Sequence, residues 1–336
     1  MINQTASLEF SHFPVMLNEV LEISTPSTGG NFIDCTFGGG SYSREILRYS
    51  NTNLHALDRD KKVIPIAKDL EKKFPDRFKF YQLKFSHLDS IPYDNVDVII
   101  FDLGLSSIQL DDFKRGFSFK SNKRLDMTMG LNNLSALDVV NNLSEDDLKL
   151  IIKILGEEKE AYKIAKNIVK YRKLKKIVYT SDLVKIIEKS KKKNYSNKIN
   201  PCTKTFQALR IFVNKEITEL VNGLIHATKK LKPGGKVLVI SFHSIEDKII
   251  KYLFTNFSKN KTKPSRYFPE NKVDQIILFD EYKNKVLTPS KKEVISNTRS
   301  RSAKLRFAIR SKNKFKYPKE FIKKFKKYLD LEAIGV

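Results

Sequence analysis

The chain has 336 residues, of which 40% are hydrophobic and 30% charged, with 63 lysines and arginines against 38 acids and a net charge of +25. That length holds one large domain with an insertion, or two domains, and the apolar content excludes wholesale disorder. No apolar run reaches the roughly 18 residues of a membrane span, residues 1–10 lack a signal-peptide pattern, and two cysteines build no disulfide framework, so the expectation is a cytoplasmic protein.

In chain order, residues 31–36 read as a buried strand running into Phe37-Gly38-Gly39-Gly40, with a helix over 41–49. A second strand over 54–57 ends at Asp58. A helix over 63–74 follows, with Pro65 suited to its first turn. Residues 78–83 and 96–101 are strands three and four, the latter ending at Asp102-Leu103-Gly104. Strands separated by helices predict a parallel sheet with right-handed crossovers. Residues 111–133 are irregular. From Ser144 the pattern is helical, with Leu148, Ile151, Ile152 and Leu155 at helical spacing and Ser144 with Asp147 resembling a capping box. Ala161, Ile164, Ala165 and Ile168 repeat that spacing, a short helix covers 181–189, and 189–200 reads as a polar loop. Val213, Ile217, Leu220, Val221 and Leu224 make one further helical face. A turn at 232–235 leads into a buried strand over 236–241. Ala303, Leu305, Phe307 and Ile309 alternate with charged residues, which predicts a half-exposed strand. The expected layout is an α/β domain from residues 1–112 and 206–336, interrupted by a helical insertion over 113–205.

Charge is the first functional clue. A strongly basic chain suits a polyanion, nucleic acid above all, although lysine-rich drift on a surface gives the same count. The glycine turn in Asp34-Cys35-Thr36-Phe37-Gly38-Gly39-Gly40-Ser41-Tyr42 lies at a strand's carboxyl end, where open α/β sheets bind cofactors. It lacks Gly-Lys-Ser/Thr and is no P-loop. Asp58, at the end of the second strand, can accept both hydroxyls of a ribose, or it can cap the next helix. Asp102 opens Asp102-Leu103-Gly104-Leu105-Ser106-Ser107-Ile108-Gln109 at the end of the fourth strand. An acceptor there would hold an exocyclic amine, whose lone pair is otherwise delocalised, in a reactive orientation. Otherwise it is a capping aspartate.

His243, in Ser241-Phe242-His243-Ser244-Ile245-Glu246-Asp247, ends the fifth strand and could contact a base or a phosphate. No second histidine stands near it, so a metal is not expected, and Ser244 with Asp247 looks like a helix cap. Arg299 and Arg301, among small hydroxyl residues, suit phosphate. Phe117 and Phe119 are candidates for stacking a flipped base, with core packing as the default. Pro201-Cys202 is similar to the Pro-Cys nucleophile of cytosine-C5 methyltransferases, but stands about 100 residues beyond the fourth strand, where those enzymes carry theirs.

Taken in order, these segments resemble the bacterial ribosomal small-subunit methyltransferase H family, also called MraW. The match runs from His12-Phe13-Pro14-Val15-Met16-Leu17 through the glycine turn, Leu57-Asp58-Arg59-Asp60 and the Asp102 segment. It continues through Arg115-Gly116-Phe117-Ser118-Phe119, Leu125-Asp126-Met127 and residues 201–210, 231–247 and 299–306. The resemblance implies a class I, Rossmann-like methyltransferase sheet, mostly parallel with an antiparallel last strand, and an inserted helical domain. It implies S-adenosylmethionine as donor and N4-methylation of one cytidine in 16S rRNA of the small ribosomal subunit, near the decoding centre. By the family pattern, cofactor contacts fall on Gly40, Ser41, Tyr42, Asp58, Phe85, Asp102 and Gln109. Ser41 departs from the family's usual glycine, Thr298 from its proline and Cys202 from its alanine. A non-catalytic rRNA-binding assembly factor and an amino-methyltransferase for another nucleic acid are the competing readings. The fourth-strand segment lacks the two prolines and the aromatic of the DNA enzymes. A homodimer is left open, and no membrane partner is expected.

Overall fold

The computed structural model describes residues 14–120, 122–191, 200–259 and 276–335. Its frame is one six-stranded sheet built from β1 (Gly30–Asp34), β2 (Thr52–Asp58), β3 (Phe78–Gln82), β4 (Val96–Asp102), β5 (Leu231–Ser241) and β6 (Lys304–Ile309), in the order β3-β2-β1-β4-β5-β6. Every pairing is parallel except β5 with β6. This is the mostly parallel α/β sheet with an antiparallel last strand that the sequence leads one to expect. The order reverses between β1 and β4, which opens a crevice at their carboxyl ends.

Both faces of the sheet are covered, so the central strands are apolar throughout rather than alternating. Phe32, Val98, Ile100, Leu238 and Ile240 face one core, where α1 (Leu17–Ser24), α2 (Ser41–Leu47) and α3 (Ile64–Lys73) pack. Ile33, Ile99, Phe101, Val237 and Val239 face the other. Between β4 and β5 the chain forms α4 (Ser107–Asp111), α5 (Ala136–Asn142), α6 (Glu145–Leu155), α7 (Ala161–Arg172), α8 (Thr180–Ser190), α9 (Thr203–Asn214) and α10 (Glu216–Lys230). After β5 come α11 (Ser244–Asn256), α12 (Lys291–Ser296) and α13 (Lys319–Glu332). The buried faces of α5 to α11 and α13 share a single apolar cluster with the sheet. Ser144 caps α6 by accepting from the Asp147 amide at 3.1 Å, and Leu148, Ile151, Ile152 and Leu155 are all buried.

Three details differ from the sequence reading. The face running from Val213 to Leu224 belongs to two helices, because Lys215 (φ 51°) breaks the chain between α9 and α10. The side chain of Asn214, fully buried, bonds the Met127 carbonyl at 2.8 Å and the Met129 amide at 2.8 Å, which turns the backbone away from a continuous helix. Secondly, β6 is not half-exposed: Arg306 and Arg310 are buried. Arg306 pairs with Asp247 at 2.7 Å and bonds the Tyr282 hydroxyl at 3.0 Å, and Arg310 donates to the Thr228 and Leu278 carbonyls. Thirdly, α11 is capped by His243, not Ser244. The residues His12, Phe13 and 192–199, read above as part of a motif and of a loop, lie outside the described residues.

The Arg306–Asp247 pair locks β6 to α11 away from water. Removing one partner of such a pair leaves the other charge uncompensated, typically at about 3 kcal/mol or more. Arg306→Ala is expected to lower unfolding free energy by about 3 kcal/mol, read by urea denaturation. A change under about 1 kcal/mol would mean that the half-buried Lys304, 3.2 Å from Asp247, suffices as partner.

Candidate active site

Three carboxylates stand at the carboxyl ends of adjacent strands: Asp34 on β1, Asp58 on β2 and Asp102 on β4. Asp34 is fully buried and accepts from the Ser43 hydroxyl at 2.8 Å and the Thr36 amide at 3.1 Å. Burial still raises its pKa to about 6. Asp58 accepts from the amides of Gly38 and Asp60, both at 2.8 Å, and burial raises it to about 6 as well. Asp102 is the most perturbed of the three. Burial, with Asp34 and Glu246 nearby, raises it to about 8, and its Oδ1 is buried without a hydrogen bond. Its backbone amide is fixed by the Thr36 hydroxyl at 2.7 Å, which ties the end of β4 to that of β1.

Asp58 and Asp102 border one cavity of about 400 Å³, with Asp34 buried behind its wall, within the size range of small-molecule sites. Its wall includes Gly38, Gly39, Ser41, Tyr42, Asp58, Phe85, Asp102 and Gln109. Gly40 does not reach the wall. It takes φ 73° and lies so close to Phe37 that a Cβ would stand 2.7 Å from the ring, so it shapes the turn from behind. Ser41 opens α2, and its side chain adds a Cβ at the wall. The Tyr42 hydroxyl donates to the Val15 carbonyl. Phe85 meets Phe101 edge-on at 5.4 Å, and Gly223 leaves it room: a Cβ there would come within 2.7 Å of the ring.

The Asp102 loop is held by its own polar network. Ser106 and Gln109 form a reciprocal capping box at the start of α4. The Gln109 amide then reaches Asp60 at 3.1 Å, and Arg115 grips both Asp60 oxygens. Arg299 closes the far side, bonding Ser107 at 3.0 Å and Asp111 at 2.9 Å while lining the cavity. Arg301 is exposed nearby. Phe117 and Phe119 pack against the apolar core, Phe119 edge-on to Phe206 at 5.7 Å, and neither lines the cavity. Cys202 is buried outside it, and burial pushes its thiol to about 11.

The cavity also takes Arg210, Glu216, Phe242 and Glu246, which the sequence reading did not single out as site residues. Arg210 holds Glu216 with two bonds of 2.8 Å. Glu246 accepts from the Phe242 amide at 2.8 Å and lies 3.1 Å from His243 Nε2, which lacks the alignment of a hydrogen bond. Burial would raise Glu246, but His243, the Arg210 guanidinium and the Phe242 amide together hold the carboxyl below its usual range. His243 itself is outside the lining. Glu216, His243 and Glu246 bring ligand-type atoms within 4.8 Å of one another, yet the Arg210 guanidinium already occupies both Glu216 oxygens. The break at Lys215 creates this cluster, since it places Glu216 at the start of α10 facing back to α9. Local sequence carries no sign of such a tertiary meeting.

Comparison with known proteins fits this arrangement. Ribosomal RNA small subunit methyltransferase H of Bartonella bacilliformis is 44% identical over 300 residues, covering 89% of this chain and 90% of the relative. The protein of the same name from Ehrlichia canis is 41% identical, covering 89% and 99%, and that from Rickettsia africae 43%, covering 89% and 97%. A solved rRNA methylase from Streptococcus thermophilus overlays with a TM-score of 0.36 at 8% identity, covering 86% and 95%; the fold rests on the strand order, not on that overlay. The MraW methylase family matches residues 9–311. A methyltransferase-type sheet, acids at three strand ends and a match along nine-tenths of its length place this chain in the MraW methylase family.

Proposed function

We propose that the chain transfers a methyl group from S-adenosylmethionine to the exocyclic N4 of one cytidine in 16S rRNA, near the decoding centre of the small ribosomal subunit. The observation that carries the reading is Asp102: a carboxylate at the end of β4 that lines the cavity bordered also by Asp58 and the glycine turn, with one of its oxygens buried and unpaired. The relatives named for small-subunit rRNA methylation support the choice of nucleic acid.

The donor fits the residues present. It is cationic at sulfur, and the cavity is lined by Asp58 and Asp102, whose pKa values burial raises, with Arg59 only partly offsetting it at Asp58. Asp58 is placed to accept ribose hydroxyls. Ser41, Tyr42, Phe85 and Gln109 wall the site, and Gly40 lets the turn close behind it. When bound, the donor supplies an electrophilic methyl group. Asp102 accepts an N–H of the base amine, drawing the nitrogen lone pair out of the ring and towards that methyl group. His243 supports this end by capping α11 and holding Glu246 ionised. Arg299 and Arg301 flank the mouth, where they meet phosphate. Phe117 stays in the protein core and supports the loop from below. The helices between β4 and β5 stand beside the mouth and are proposed to guide the RNA.

Asp102→Ala and Asp102→Asn are expected to fold and still to bind the donor, more weakly than wild type, but to lose methyl transfer at saturating donor by about 100-fold or more. Radiolabel transfer to small subunits checks this, and near-normal rates would remove Asp102 from the reaction. Donor binding is also pH-linked. A cationic ligand favours the ionised acids, so affinity rises as pH climbs from 5 to 8 through the raised pKa values of about 6 and 8. Protons should be released on binding at pH 7, seen by calorimetry in buffers of different ionisation enthalpy. Affinity that is flat over this range contradicts the assignment of these acids.

A further inference from the structure

The family match ends at residue 311, and α13 with the segment before it lies beyond that limit. From residue 312 to the end of α13 there are eight lysines and three acids. The helix is docked firmly. Phe321, Phe325, Tyr328 and Leu331 are buried against the body, and Tyr252 of α11 packs on Phe321 at 6.4 Å and on Phe325 at 5.4 Å. At its far end Glu332 is buried and accepts from the amides of Ile217 and Thr218, at 3.0 and 2.8 Å, and from the Thr218 hydroxyl at 2.6 Å. That anchors α13 to the first turn of α10, whose Glu216 and Glu219 line the cavity.

The outer face is a lysine field. Lys319, Lys323, Lys324 and Lys327 are exposed on α13, with Lys248 and Lys251 exposed on the adjoining α11. Lys324 lies over the Tyr252 ring at 5.6 Å and Lys327 over Tyr328 at 4.8 Å, contacts that fix two ammonium groups without neutralising them. Lys326 is the exception, paired with Asp330 at 2.6 Å. At about 1.5 Å per residue the face runs roughly 20 Å from the anchored turn.

We propose that α13 and its neighbour α11 form a docking surface for the phosphate backbone of the substrate RNA. The proposal rests on the rRNA reading above and assigns a second contact, away from the reacting base. An array of ammonium groups on a rigid helix holds phosphates in register without reading sequence. A membrane surface fits less well, because the apolar face a lipid-bound helix needs is already spent on the protein's own core.

The test is Lys319, Lys323, Lys324 and Lys327→Gln in the full chain, against a matched control of Lys61, in the turn before α3, and Lys68, Lys72 and Lys73 on α3, all →Gln, across the sheet. Binding to 16S rRNA is measured from 50 to 300 mM salt. The α13 variant is expected to bind on the order of 10-fold more weakly at physiological salt, with a salt slope shallower by about 3 units. The control should keep the wild-type slope. In transfer assays the α13 variant should raise KM for the subunit and leave kcat and donor affinity unchanged. Equal losses in both variants, no loss in the α13 variant, or a loss seen with anionic phosphatidylserine vesicles and not with RNA would each overturn the proposal. If wild-type protein binds RNA through α13 but transfers no methyl group, the docking surface stands and the rRNA methylation reading falls.

Discussion

Asp34, Asp58 and Asp102 stand side by side at the ends of three neighbouring strands, the first fully buried and the other two partly so, with two of them satisfied by amides or hydroxyls and the third left with one oxygen unpaired. Burying carboxylates costs free energy, and the raised pKa values record it. Such strain is maintained where a ligand relieves it, and a cationic ligand would. The sheet order makes the arrangement possible, because β1 sits between β2 and β4 and the chain leaves the sheet in opposite directions on either side.

The surrounding structure fixes these acids in place. Thr36 ties the ends of β1 and β4, and Gly38 links the turn to Asp58. Gln109, Asp60 and Arg115 brace the loop after β4. Arg59 performs a similar task further out, reaching Gly130 at 3.0 Å, Asn132 at 2.6 Å and the Asn214 carbonyl at 3.1 Å. The strand end carrying Asp58 is thereby connected to the helices inserted after β4. Small displacements of those helices would be felt at the cavity through this arginine.

The centre of the sheet was legible because β1, β2 and β4 are largely buried runs that end in acids, a pattern set by local sequence. The capping of α6 was legible for the same reason. β6 was misread: alternation of Leu305 and Phe307 with arginines implies a wet face, but Asp247 and two carbonyl groups draw Arg306 and Arg310 inside. The join of α9 and α10 was missed because Asn214 is held by Met127 and Met129, far away in the chain. In the cavity, Asp58 and Asp102 could be named from their strand-end positions and Ser41, Tyr42, Phe85 and Gln109 from the family resemblance, and all six line it. Arg210, Glu216 and Glu246 could not, since only tertiary packing brings them together. The aromatic side chain of Phe117, offered for base stacking, is taken by the core.

The most direct test of the account is transfer of labelled methyl groups from S-adenosylmethionine to small ribosomal subunits that lack cytosine-N4 methylation, followed by nucleoside mass spectrometry. The account predicts N4-methylcytidine at a single site with the wild-type chain and none with Asp102→Ala. Labelled methyl groups on another base or atom, or no transfer despite binding of donor and RNA, would contradict it.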